Sequence, residues 1–221
     1  MADTKDYRNS EYCPKLSKVD EEKKTLELLI QKESPKTQII YNKVRNRKEK
    51  YNSMFAGIYN YKCGYCGCLC GLLPLESFEV DHFINEASFP KTTAGRIEAG
   101  RMTNLVWSCI TCNRGKTNVT VAGSYINLLN PDLNNITSVF ERNHEYYIKI
   151  TDAYKEDGFI NEFYEKLCLG YERRRIDYML LELEGMYEEE KDPDKKAQLG
   201  ESLLRLTQKR NRASIYEKKI S

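Results

Sequence analysis

Residues 63–70 read CGYCGCLC and residues 109–116 read CITCNRGK, and these two stretches together decide the fold. Cys63-x-x-Cys66 and Cys109-x-x-Cys112 are paired C-x-x-C turns with residues 67–108 between them. Each such turn aims two sulfurs at one point, and two turns complete a tetrahedral zinc site. Four thiolates leave no open position, so a zinc ion held there is structural. Gly64 helps the chain turn tightly around it. Cys68 and Cys70 offer competing sulfurs, and either could replace Cys66; the paired spacing favours Cys66 because it matches on both sides. Only Cys13 and Cys168 of the eight cysteines lie outside this region. A disulfide framework would spread its cysteines along a small secreted domain, whereas this concentration points to metal.

Working outward, the 221-residue chain fits one domain with decorations or two small domains. With 40% hydrophobic and 31% charged residues and a mean hydropathy of −0.67, it reads as a polar globular protein. No apolar run has the length of a membrane helix, and the opening MADTKDYRNSEY is too polar for a signal peptide. A cytoplasmic protein with no membrane partner is therefore expected, and the sequons at Asn118 and Asn135 carry no glycan. The net charge of +2 neither announces nor excludes a nucleic-acid partner, so local patches decide.

The expected organisation has three parts: an N-terminal arm and helices over 1–57, a functional core over 58–130, and a C-terminal strand and helical region over 131–221. Residues 1–20 lack periodicity and read as a loose arm. Acids followed by Leu26, Leu29 and Ile30 predict a helix over 20–32. A second, basic helix is expected over 36–57, carrying Lys43, Arg45, Arg47, Lys48 and Lys50. LESFEVDHF reads as a strand ending in Asp81-His82. A strand lies within 138–151, and helices follow around Ile160–Leu167, over 173–190, and around Leu199–Leu206. The last two could pair as a hairpin through Met179, Leu180, Leu183, Leu199, Leu203 and Leu206. His144, beside Asn143 in an apparent turn, reads as a surface residue.

Between the cysteine pairs lies a second constellation: Asp81-His82, then Asn104-Leu105, then Asn113-Arg114-Gly115-Lys116 beside Cys112. A carboxylate and an amide oxygen are hard ligands suited to one Mg²⁺ or Mn²⁺. A neutral imidazole nearby can take a proton from water as it attacks phosphorus. Arg114 and Lys116 supply positive charge for phosphate.

The ordered combination of CGYC, EVDHF, Asn104-Leu105 and CITCNRGK, over roughly residues 58–120, resembles the HNH endonuclease family, also called ββα-metal nucleases. The resemblance implies an α+β fold: a small zinc-stapled ββα-metal core flanked by N-terminal and C-terminal helices. It implies His82 as general base, Asp81 and Asn113 as ligands of one catalytic Mg or Mn ion, and Asn104 as the residue that orients His82 and stiffens the loop. The histidine that ends the family's name is Asn113 here. Two departures accompany it: Asn85 stands where many members have proline, and residues 83–103 form a long insertion whose Arg96 and Arg101 are candidate nucleic-acid contacts.

Three functions fit these residues. The first is a metal-dependent endonuclease hydrolysing phosphodiester bonds, with DNA as substrate. The second is a zinc-stapled nucleic-acid-binding module that does not cleave. The third is an effector subunit active only with a protein partner; in size and flanking helices the chain resembles nucleases of bacterial antiphage defence systems, including those paired with an ABC-type ATPase.

Overall fold

The computed structural model describes residues 6–116 and 119–214, so the first five residues of the expected arm and the Asn118 sequon lie outside the described residues. The fold is α+β, with two small antiparallel sheets set among helices. Helix α1 (Val19–Glu33) opens with Asp20, Glu21 and Glu22, whose charge suits a helix N-terminus. It buries Val19, Lys23, Leu26 and Ile30, one stripe at helical spacing.

Lys23 is the unusual member of that stripe. Its ammonium donates to the Leu105 carbonyl at 2.7 Å and pairs with Asp132. The Tyr59 hydroxyl donates to the other Asp132 oxygen at 2.6 Å. A buried lysine is tolerated only when paired in this way, and the pairing fastens α1 to the backbone at Leu105 and to Asp132.

The expected basic helix over 36–57 is two helices, α2 (Tyr41–Val44) and α3 (Lys50–Ile58). The break has a local cause and a distant one. Asn46 Oδ1 accepts from the Lys48 N–H at 3.1 Å, and a short polar side chain that bonds its own backbone competes with a helix. Arg47 meanwhile reaches the carbonyls of Glu76 at 3.0 Å and Phe78 at 2.8 Å.

Strand β1 (Phe78–His82) pairs with β2 (Leu105–Cys109), with Asp81 opposite Val106 and His82 opposite Leu105. The intervening residues include a short helix, α4 (Thr93–Ala99). Every residue of β2 is buried, and Trp107 stacks on Phe78 with ring centroids 5.8 Å apart. Helix α5 (Ile110–Lys116) begins where β2 ends and packs on both strands. The result is a hairpin leading straight into a helix.

Helices α6 (Tyr125–Leu129) and α7 (Ile136–Val139) lead into a second hairpin, β3 (Phe140–Arg142) and β4 (Ile148–Ile150). Residues 138–151 thus hold two short strands rather than one. Tyr146 sits in the turn at φ 67° and is exposed. His144 is exposed in the same turn, as the sequence suggests.

Helix α8 (Gly158–Lys166) is capped by Asp157, whose carboxylate accepts from Phe159 and Ile160, and it packs on α5. The approach is close: a Cβ at Gly115 would lie 2.0 Å from the Lys166 carbonyl oxygen. Helices α9 (Glu172–Glu189) and α10 (Pro193–Arg212) form the expected antiparallel hairpin. Pro193 opens α10, and Asp192 caps it.

The N-terminal segment is held, not loose. The Tyr7 hydroxyl donates to the Tyr65 carbonyl at 2.6 Å, and Arg8 donates to the Gly64 and Pro131 carbonyls at 2.8 and 2.5 Å. Gly67, at φ 74°, lies so near the Arg8 backbone that a Cβ would come within 2.4 Å of its carbonyl oxygen. One contiguous apolar core runs from Tyr7 to Leu169.

Candidate functional site

Cys63 and Cys66 sit in a turn between α3 and β1; Cys109 ends β2 and Cys112 lies in the first turn of α5. The hairpin pairing and the Gly64 N–H donating to the Trp107 carbonyl at 2.8 Å bring the two turns together. Gly64 is required by closeness: a Cβ there would lie 2.9 Å from Val106 Cγ1.

All four cysteines are buried, with their sulfurs within 4.8 Å of one another. A tetrahedral zinc with Zn–S bonds of about 2.3 Å needs sulfurs about 3.8 Å apart, and Cys66 and Cys109 stand at 3.9 Å. The cluster could therefore bind a metal such as zinc. Cys68 and Cys70 lie outside it: the Cys68 sulfur turns to Asp177 at 3.7 Å, and Cys70 is half-buried.

Arg174, in the run Arg173–Arg175 whose sequence predicts acidic partners, meets the cysteine sulfurs instead. It is buried, and its Nη2 approaches the Cys112 and Cys109 sulfurs at 3.3 and 3.6 Å. Burial works against its charge, but the Cys66, Cys112 and Cys109 sulfurs hold the guanidinium protonated. Cys109 is held well below the usual thiol range by hydrogen bonds from Cys112, Cys63 and Cys66, with Arg174 beside it.

A four-thiolate zinc site carries a net negative charge, and Arg174 offsets part of it from α9. Arg174→Leu should lower zinc retention against a competing chelator roughly 10- to 100-fold, as loss of an outer partner typically does. Unchanged retention in a folded variant would leave Arg174 a packing residue only.

The second constellation gathers around α5. Asp81 is buried; Tyr65 donates to its Oδ2 at 2.6 Å and Lys116 sits 3.2 Å from the same oxygen. Burial pushes the Asp81 carboxyl up, to about 6, against the pull of Lys116 and Tyr65. Both partners act on Oδ2, so Oδ1 has no side-chain partner among the described residues.

Asn113 donates through Nδ2 to Glu79 Oε2 at 2.7 Å, which fixes the direction of its amide. Glu79 shares the Asp81 face of β1, two residues away. Asp81 and Glu79 on β1 and Asn113 on α5 carry hard oxygen donors of the kind that suits Mg²⁺ or Mn²⁺.

His82 is half-buried at the end of β1, its ring 4.1 Å from that of Tyr41. Burial lowers its pKa, Glu86 opposes the shift, and Lys116 and Arg45 add to it, which favours the neutral imidazole.

Asn104 is buried and bonds backbone only. Its Oδ1 accepts from Ile84 N–H at 2.8 Å, and its Nδ2 donates to the Ile84 and Ala99 carbonyls at 3.0 and 2.8 Å. It stiffens the loop after His82 but makes no hydrogen bond to the imidazole.

Among the expected phosphate contacts, Arg114 is exposed, with Glu79 at 3.9 Å. Arg96 and Arg101 are exposed on and just beyond α4, Arg101 paired with Glu98 at 2.7 Å. Lys116 differs from expectation: it is buried, and its ammonium is committed to Asp81 and to the carbonyls of His82 at 2.8 Å and Phe83 at 3.1 Å. Its charge is used inside the fold, bracing the end of β1.

No family model matches the chain, and no curated protein or solved structure matches it. No helix among the described residues is long and apolar enough to cross a membrane.

Proposed function

We propose that this chain is a metal-dependent endonuclease of the HNH type, hydrolysing phosphodiester bonds in DNA. The feature that supports the reading is the hairpin running straight into α5, with Asp81 and His82 at the end of β1, Asn113 on α5, and the four-cysteine cluster at the strand–helix junction. In this reading the cysteines hold a structural zinc that staples α5 to the turn before β1.

Asp81, through Oδ1, and Asn113 would hold the catalytic ion, with Glu79 as a neighbouring oxygen donor. A bound Mg²⁺ or Mn²⁺ supplies stabilisation of the charge that develops on the phosphate and the leaving oxygen. Tyr65 and Lys116 orient the Asp81 carboxylate, as outer partners of a metal ligand do. His82, kept neutral by its half-buried setting, takes the proton from the attacking water. Arg114, exposed on α5, offers a charge-assisted contact to the phosphate.

A second reading, a zinc-stapled nucleic-acid-binding module without cleavage, is favoured by one observation: the Lys116 ammonium already sits on the carboxylate that a metal would need.

A supercoiled-plasmid assay separates the two. The zinc-loaded protein should nick or linearise the plasmid with Mg²⁺ or Mn²⁺ and should not in excess chelator. Folded, zinc-loaded protein that leaves the plasmid intact with both metals would favour the binding module. Asn113→Ala should weaken Mn²⁺ binding, measured by calorimetry, and cleavage together; unchanged affinity would remove Asn113 from the metal site.

A further inference from the structure

A general base must present one ring nitrogen in one direction, and side-chain torsions leave an unheld imidazole several choices. Neither ring nitrogen of His82 has a hydrogen-bond partner among the described residues. Asn104, the partner the family resemblance would supply, has its amide committed to the backbone of Ile84 and Ala99. The imidazole is therefore oriented by packing, and the ring packed on it belongs to Tyr41, at 4.1 Å between centroids and 47° between planes.

Tyr41 is itself well fixed. It opens α2, and its backbone N–H donates to the Gly100 carbonyl at 3.2 Å. Gly100 ends α4 so close to this segment that a Cβ there would lie 3.3 Å from Tyr41 Cβ and 2.7 Å from Ile39 Cγ2. One turn further along, the Arg45 guanidinium carbon lies 5.3 Å from the centre of the Tyr41 ring. The insertion between β1 and β2 and the basic segment around α2 thus meet at the base.

We propose that Tyr41 is a positioning residue: its ring holds the His82 imidazole in the one orientation that can take a proton from the attacking water. The proposal rests on the endonuclease reading above. It also gives the arginine beside that ring a place in the site. Arg45 is exposed and has no carboxylate partner among the described residues, so it stands ready for a phosphate next to the base.

The test uses the full zinc-loaded chain, whose two histidines make proton–carbon spectra of the imidazoles simple to assign. The His82 ring protons should lie upfield of those of His144, which sits exposed in a turn and serves as the internal reference. Tyr41→Phe should keep that ring-current shift and near-normal cleavage. Tyr41→Leu should lose the shift and lower kcat roughly 10- to 100-fold, the scale of a misplaced catalytic group, with KM unchanged. Should Tyr41→Leu not fold, Tyr41→Met makes the same comparison, because it keeps a long, adaptable apolar side chain without a flat ring.

A wild-type protein lacking the upfield shift would overturn the proposal. So would a variant that loses the shift yet keeps its kcat, or one in which KM alone changes. Absence of any cleavage by the wild type would defeat the endonuclease reading and the positioning role with it. The shift comparison would then still report whether the two rings pack together, so the two failures are distinguishable.

Discussion

Cys109→Ser should be recovered without stoichiometric zinc and without a cooperative melting transition. Cys109 is the last residue of β2 and leads directly into α5, so its sulfur ties the hairpin to the helix. It stands 3.9 Å from Cys66 and 3.6 Å from Arg174 Nη2. Structural zinc contributes on the order of 10 kcal/mol to folding in small metal-dependent domains. That is comparable to the whole stability of an ordinary domain, about 5–15 kcal/mol. Loss of one thiolate also leaves the buried Arg174 guanidinium facing fewer negative sulfurs, and an under-compensated buried charge is costly.

Metal analysis with calorimetry decides the matter. Zinc content and a melting curve equal to the wild type would sink the four-cysteine site. Cys70→Ser is the control: that sulfur is half-buried and outside the cluster, so its loss should leave zinc content unchanged.

His82→Ala should have the opposite signature, a folded, zinc-loaded protein that binds DNA and does not cut it. The side chain is half-buried and its packing partner is the Tyr41 ring, so truncation leaves only a shallow defect. Asp81, Asn113 and the cysteine cluster keep their own partners. Removal of a general base typically lowers the rate on the order of 10²- to 10⁴-fold. Plasmid cleavage beside a gel-shift measurement reads both properties from one preparation. Retained full activity would take His82 out of the mechanism, whatever else the protein does.

Some of this was legible in the residues and some was not, for identifiable reasons. Helices α1, α8, α9 and α10 follow their apolar spacing, and β1 ends at Asp81-His82 as the alternation suggests. The paired cysteine turns met at one point because that spacing has one economical geometry.

What failed to show were long-range polar contacts. Nothing in a polar arm announces that Tyr7 and Arg8 will be buried against carbonyls at residues 64, 65 and 131. The run Arg173–Arg175 predicts a helix start with acidic partners, and Arg175 does pair with Glu172 at 2.9 Å, but Arg174 turns inward to the sulfurs instead. Lys116 reads as a phosphate contact because lysine seldom lies inside; only the Asp81 carboxylate and two carbonyls around it make its burial affordable. Tyr41 carried no signal at all, because its importance comes from the ring that the fold places against it.

The tethering of the first residues has a practical meaning for anyone trimming the chain. A fragment that starts at α1 would look tidy by composition, yet it would strip the hydrogen-bonded cover from the first cysteine turn, where Tyr7 meets Tyr65 and Arg8 meets Gly64. Water would then reach the backbone next to Cys63 and Cys66. Metal loss in such a fragment would reflect a missing lid several dozen residues upstream, with every ligand still in place.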